Sequence, residues 1–247
     1  MGPILSFPAE TLALALGAAL AAGFVRGLAG FGLSVVLVPV LQLTMAPQLA
    51  VFVGLVSLSL IALTDIGRIR RDADRSFVPF ALIAVAAAPL GLWALSVLSV
   101  DLARVLIALV SLTAFVLVVS PLGPLRLPRV AALPMAGIAT GFLGGFAGMP
   151  GPGMGPFYLR GSFVPRAARA SMMAIFFVLS PLSVGLFWWR GVGSWQELAL
   201  AALLFPAVLA GDWLGHHAFG RVTTRQWQVA TGVVLAVTAM VALGRLL

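Results

Sequence analysis

The chain alternates between long apolar runs and short polar links. A run of about 17–25 apolar residues is long enough for a helix to cross ~30 Å of hydrocarbon. Eight stretches qualify, at roughly 9–26, 47–66, 77–97, 102–120, 130–147, 167–189, 196–216 and 226–246. Two shorter runs, roughly 33–45 and 153–164, follow glycine-rich stretches and are marginal for a crossing. Each predicts the half-helix of a re-entrant hairpin. Pro47 and Pro165 stand where the next helices begin, a position at which the missing N–H costs nothing. The longest charged link is 67–76 (GRIRRDADRS), and the link 121–128 holds three prolines.

The glycine stretches are copies of one another. Gly23-Phe24-Val25-Arg26-Gly27-Leu28-Ala29-Gly30 and Gly141-Phe142-Leu143-Gly144-Gly145-Phe146-Ala147-Gly148 share a Gly-Phe-x-x-Gly-(Leu or Phe)-Ala-Gly pattern 118 residues apart. The same offset relates Pro47 to Pro165 and Ala50 to Ala168. A fixed offset of this kind marks a duplicated unit. The expected organisation is a single transmembrane domain over 1–247, with repeat 1 at about 8–120, repeat 2 at about 130–247 and a linker at 121–129.

Composition fixes the environment. The chain is 62% hydrophobic and 9% charged, with a mean hydropathy of +1.14, against about 45–50% apolar and ~25% charged residues in soluble domains. That is a polytopic membrane protein. The net charge of +8 comes from 15 basic residues, all arginine. They lie in short links between apolar runs, so topology explains them better than nucleic acid does. Without cysteine there is no disulfide, thiolate nucleophile or cysteine metal site. The N-terminus lacks the basic segment, short apolar core and cleavage site of a removable signal peptide.

The arginines also choose between two topologies. If each glycine stretch were an external loop, they would divide eight against seven across the membrane. If each is instead the tip of a hairpin returning to its side of entry, the links 67–76, 121–129, 160–169 and 217–225 share one side and hold eleven of the fifteen. Arg104, Arg190 and Arg245 then lie opposite, with Arg26 at a hairpin tip. Because cytoplasmic loops are arginine-rich, the second arrangement is expected. The predicted fold is an all-α polytopic membrane protein of two inverted repeats. Each repeat has a glycine-broken helix hairpin plus three transmembrane helices, giving eight main helices and two half-helices with both termini outside.

A helix broken inside a membrane exposes backbone N–H groups and the positive end of the next helix dipole, which suits an anion. The candidate substrate positions are therefore Gly30, Phe31 and Gly32 in the first break and Gly148, Met149 and Gly151 in the second. Gly27, Gly144 and Gly145 belong to the same breaks, and Pro150, Pro152 and Pro156 reinforce the second. Arg26 either holds the anion's charge or snorkels to the interface. Ser34, Gln42, Ser57, Ser171, Ser180 and Ser183 offer donors, of which Ser171 is the best placed. Asp212 and His216, one turn apart, could carry a proton, although Asp212 could equally be a helix-to-helix hydrogen-bond partner. Asp65 is expected to partner an arginine at the interface. Gly17, Gly137 and Gly185 fit helix packing, and the six tryptophans fit an interfacial belt.

The stretches Gly23–Pro39 (GFVRGLAGFGLSVVLVP) and Gly141–Pro156 (GFLGGFAGMPGPGMGP), each followed by a proline-started helix, resemble the TauE/SafE family of sulfite and organic-anion transporters. The resemblance covers essentially the whole chain, including Gly211-Asp212-Trp213-Leu214-Gly215. It implies movement of a small anion (a sulfur oxyanion such as sulfite, an organosulfonate or a small carboxylate) across the bacterial inner membrane, as an exporter. The expected mechanism is secondary transport by alternating access around a mid-membrane site formed by the two breaks. An anion channel with the same pore-lining breaks is the alternative. No G-x-x-x-x-G-K-(S/T) motif is present, so protons or the membrane potential are expected to drive it. With two adjacent histidines, no cysteine and few carboxylates in apolar runs, an enzyme is not expected. Neither are cofactors, metals or nucleic acid. The expected partners are the anion, a coupling proton and the bilayer, with room for a homo-oligomer.

Overall fold

A computed structural model describes residues 8–119 and 128–218. The expected run 226–246, residues 121–127 of the linker and Trp227 lie outside these. The described residues are helical throughout, without strands. In chain order the helices are α1 (Ala9–Ala29), α2 (Leu33–Leu41), α3 (Pro47–Ala62), α4 (Ile66–Asp72), α5 (Phe77–Val97), α6 (Val100–Val119), α7 (Arg129–Ala147), α8 (Gly151–Arg160), α9 (Pro165–Trp189) and α10 (Trp195–Ala218). A 3₁₀ turn, Leu63–Asp65, joins α3 to α4 without a break in direction marked by proline or glycine. Seven segments are long and apolar enough to cross a membrane: Ala9–Leu28, Pro47–Asp72, Phe77–Val97, Val100–Leu117, Arg129–Ala147, Pro165–Trp189 and Trp195–Ala218.

Two boundaries differ from the sequence pattern, and Gly27, Gly144 and Gly145, assigned there to the breaks, are helical. The charged link expected over 67–76 is helical as far as Asp72, which leaves Ala73–Ser76 as the connection. Arginine has high helix propensity, so charge alone does not end a helix. The first apolar run likewise continues past Arg26 and Gly27 to Ala29, and α7 continues through Gly144 and Gly145 to Ala147. The actual breaks are three residues each.

The 118-residue spacing extends to the elements themselves. Helix starts at Leu33, Pro47 and Phe77 answer to Gly151, Pro165 and Trp195. The contact pattern follows: the most extensive pairings are α5 with α7 and α1 with α10, and these exchange when each helix is replaced by its counterpart. Helices α3 and α9, counterparts of each other, pack together and are the most buried of the seven candidate spans.

Glycine allows the two extensive pairings to close. A Cβ on Gly141 would lie 2.0 Å from the Ala84 carbonyl oxygen, and one on Gly145 2.1 Å from that of Ala88. On the other side, Gly23 and Gly27 meet the Val208 and Asp212 carbonyls at 2.3 Å, while Gly211 meets that of Leu20 at 2.1 Å. Such small-residue seams bring helix backbones into contact in an apolar solvent. Gly137 packs likewise, its Cβ position 2.9 Å from Ile83, whereas Gly17 and Gly185 face open space among the described residues. Trp93, Trp188, Trp189, Trp195 and Trp213 are exposed on the bundle surface, as belt residues should be.

The connection Ala73–Ser76 is tied down by polar contacts. Ser171 Oγ accepts from the Asp74 N–H at 2.8 Å, Asp74 Oδ1 accepts from the Ser76 N–H at 2.9 Å, and Ser76 Oγ lies 3.2 Å from the Tyr158 hydroxyl. The Ser76 hydrogen bonds, side chain first and then backbone, hold the Asp74 carboxyl below its ordinary 3.8, with Arg129 assisting. A lowered native value means that this contribution is present above the unfolded value of about 4 and disappears as pH falls through the native one. The melting temperatures of wild type and Asp74→Asn should therefore differ near pH 6, and the difference should shrink only as pH falls below the ordinary 3.8 and through the lowered native value. A constant difference across that range would contradict the assignment.

Candidate functional site

The first break starts where α1 ends at Gly30 (φ 82), whose N–H donates to the Arg26 carbonyl at 2.6 Å. Gly32 (φ 102) then caps α2. These left-handed conformations are open to glycine and strained for other residues. The second break starts at Gly148 (φ 66). There Gly148 N–H donates to the Gly144 carbonyl and Met149 N–H to the Leu143 carbonyl, which closes the helix end.

Neither half-helix start receives a side-chain cap: α2 begins after Gly32 and α8 after Pro150. Their first-turn N–H groups thus carry the positive ends of two helix dipoles into the protein interior. The breaks touch. Phe31 lies 3.6 Å from where a Cβ on Gly151 would stand, and Phe176 of α9 closes the same spot at 3.9 Å. Met149 is fully buried and accepts the Ser111 hydroxyl on its sulfur at 3.2 Å.

Several buried hydroxyls have no hydrogen-bond partner among the described residues: Ser34 in the first turn of α2, Thr140 on α7 against Gly153 of α8, Ser57 on α3, and Ser180 and Ser183 on α9. A buried hydroxyl without a partner costs about 1–3 kcal/mol. Gln42 instead donates to the Arg104 carbonyl at 3.2 Å, and Arg104 Nε returns a bond to the Gln42 carbonyl at 3.1 Å. Ser171, the hydroxyl favoured from sequence, is engaged with the Asp74 backbone.

Arg26 lies in the last turn of α1, one turn ahead of the break expected to contain it. It is 4% exposed and is gripped by two carboxylates, Asp65 and Asp212, the latter at 2.6 Å. Asp65 is itself 1% exposed, buried where an interfacial position was expected, and also receives Arg68 at 3.2 Å. Arg68 Nη2 lies 3.3 Å from His216 Nε2. From sequence, Asp212 could carry a proton with His216 or bond to a neighbouring helix, and Asp65 had an unspecified arginine. The α1–α10 contact of Asp212 with Arg26 is such a helix-to-helix bond. The fold gathers all of them around Arg26, whose charge is compensated twice over.

Seven apolar spans among the described residues, with two helices that stop at left-handed glycines and resume as uncapped half-helices, define a multi-pass helical membrane protein, in which irregular backbone is tolerated only when buried in protein or lining a cavity. The chain belongs to the TauE/SafE family: the family model described as Sulfite exporter TauE/SafE matches residues 15–242. No curated protein and no solved structure matches it. Membership makes the chain a multi-pass membrane transporter of small anions.

Proposed function

We propose that the protein is a secondary transporter exporting a small anion such as sulfite, an organosulfonate or a small carboxylate across the bacterial inner membrane. Transport proceeds by alternating access between two inverted repeats. The observation that carries this reading is the meeting of the two breaks at Phe31 and Gly151, with uncapped half-helix starts on both sides. The anion is held there by backbone N–H groups of Gly30, Phe31, Gly32, Gly148, Met149 and Gly151, with the unpartnered Ser34 hydroxyl in the first turn of α2 beside them. Arg26 acts through the Asp65–Arg26–Asp212 cluster, offsetting two carboxylates that would otherwise repel an anion at the first break. Asp212, 18% exposed, together with His216, one turn on, is the group through which a proton gradient acts on that cluster.

The test is flux in proteoliposomes. Labelled sulfite should enter saturably, should be accelerated by unlabelled sulfite on the opposite side, and should respond to an imposed pH gradient. Trans acceleration requires a carrier that reorients with substrate bound. Non-saturating flux without it would establish a channel and reject alternating access.

A further inference from the structure

A cleft of about 360 Å³ opens between α4, α9 and α10, lined on its polar side by Arg68, Arg71, Asp72, Arg166, Arg169 and His216. Four arginines face one carboxylate, and most are already matched. Asp72 takes Arg166 at 2.9 Å and Arg71 at 3.9 Å, and Asp65 takes Arg68. Arg169 has no carboxylate within 4.0 Å among the described residues, although it is half-buried. An arginine that gives up water without gaining a counter-ion is unfavourable unless something negative joins it.

Its position ties the cleft to the first break. The Nε and Nη2 atoms of Arg169 lie 2.5 and 2.7 Å from where a Cβ on Gly30 would stand, so the guanidinium rests directly on that glycine. The duplicated half shows what packing alone would need. The counterpart of Arg169, 118 residues earlier, is Val51, and Val51 lies against Gly148 in the same way, its Cγ1 3.3 Å from the Cβ position. A valine suffices to cover the second break, so the charge at Arg169 serves something other than packing.

Resting on the transport reading above, we infer that this cleft is an anion-loading site and that Arg169 is its substrate-binding residue, passing a small oxyanion to the first break. The guanidinium offers paired N–H donors matched to two oxygens of a sulfite, sulfonate or carboxylate. Arg166 and Arg68 raise the local anion concentration at the mouth. Pro165, Ala170 and Met173 give the cleft an apolar wall. Asp72 stands at its edge as the one repelling charge in the lining and is screened by its two arginines.

Calorimetric titration of the purified full chain with sulfite, and separately with sulfate, tests the assignment. Arg169→Gln should weaken sulfite binding about tenfold or more, the loss expected for a charge-assisted pair. Arg169→Lys should recover part of it. Unchanged affinity in Arg169→Gln overturns the proposal. Should that variant fail to fold, Arg166→Glu, at a side chain 69% exposed, decides instead: binding several-fold weaker supports the cleft, and unchanged binding overturns it. If Arg169→Gln binds and transports normally, the loading site alone is wrong. If wild type neither binds nor moves any of these anions, the transport reading itself fails.

Discussion

Replacing Gly141 by leucine is expected to be among the most damaging single changes in the chain. Its Cβ would occupy space 2.0 Å from the Ala84 carbonyl oxygen and 2.8 Å from the Ala84 Cα. The obstacle is backbone, not the flexible end of a side chain, so α5 and α7 must separate along a seam that also includes Gly91 and Gly145. Overpacking a well-filled interior costs about 1–3 kcal/mol and more where nothing can yield; with a rigid helix opposite, we expect the upper end or beyond. The variant should melt many degrees lower in detergent or fail to elute as a single species. Gly67, whose Cβ position is clear of other atoms on α4, makes the comparison. Gly67→Ala should be neutral or slightly stabilising, by about 0.5–1 kcal/mol at most, since alanine favours helix over glycine. Equal stability of the two variants would show that the seam is not closely packed.

The second large effect is expected at Arg26. Truncation to alanine leaves Asp65 buried with only a half-exposed Arg68 for company and deprives Asp212 of its partner. Removing one member of a buried ion cluster costs about 3–5 kcal/mol, because the remaining charges lose compensation they cannot recover from water. A lower melting temperature and reduced anion uptake should therefore appear together. A neutral replacement separates the two effects. Arg26→Gln combined with Asp65→Asn and Asp212→Asn removes the net charge imbalance and should recover much of the stability while leaving uptake impaired. If this triple variant transports with the wild-type apparent affinity, Arg26 plays no part in holding the anion.

These two positions also show where sequence and tertiary structure part. Gly23, Gly27, Gly141 and Gly145 stand in the same short stretches as Gly30 and Gly148, and a linear pattern does not distinguish them. The partner helix does: the first four lie under backbone carbonyls of α10 or α5, whereas Gly30 and Gly148 end their helices with positive φ. Arg26 is similar. Its sequence neighbourhood suggested a substrate ligand or a snorkelling side chain, and neither alternative includes carboxylates 39 and 186 residues away. In sequence, Arg169 is one of several arginines in the link 160–169. The comparison that exposes it was already available in the sequence, since its counterpart in the other unit is Val51, but only the contact with Gly30 gives that asymmetry a meaning.

What the sequence determined by itself is local or additive: the membrane setting, the positions of the seven apolar spans among the described residues, the half-helices after each glycine stretch and the 118-residue duplication. Hydrophobic run length, proline at helix starts and glycine at helix ends act within a turn or two of the residue concerned. The tertiary structure alone decided which carboxylates neutralise Arg26, which glycines are seams and which are stops, and which arginine is left over beside the cleft. Those outcomes depend on helices distant in the chain coming face to face, and the energy of a buried charge or a close backbone contact is set by that partner and not by the residues on either side of it.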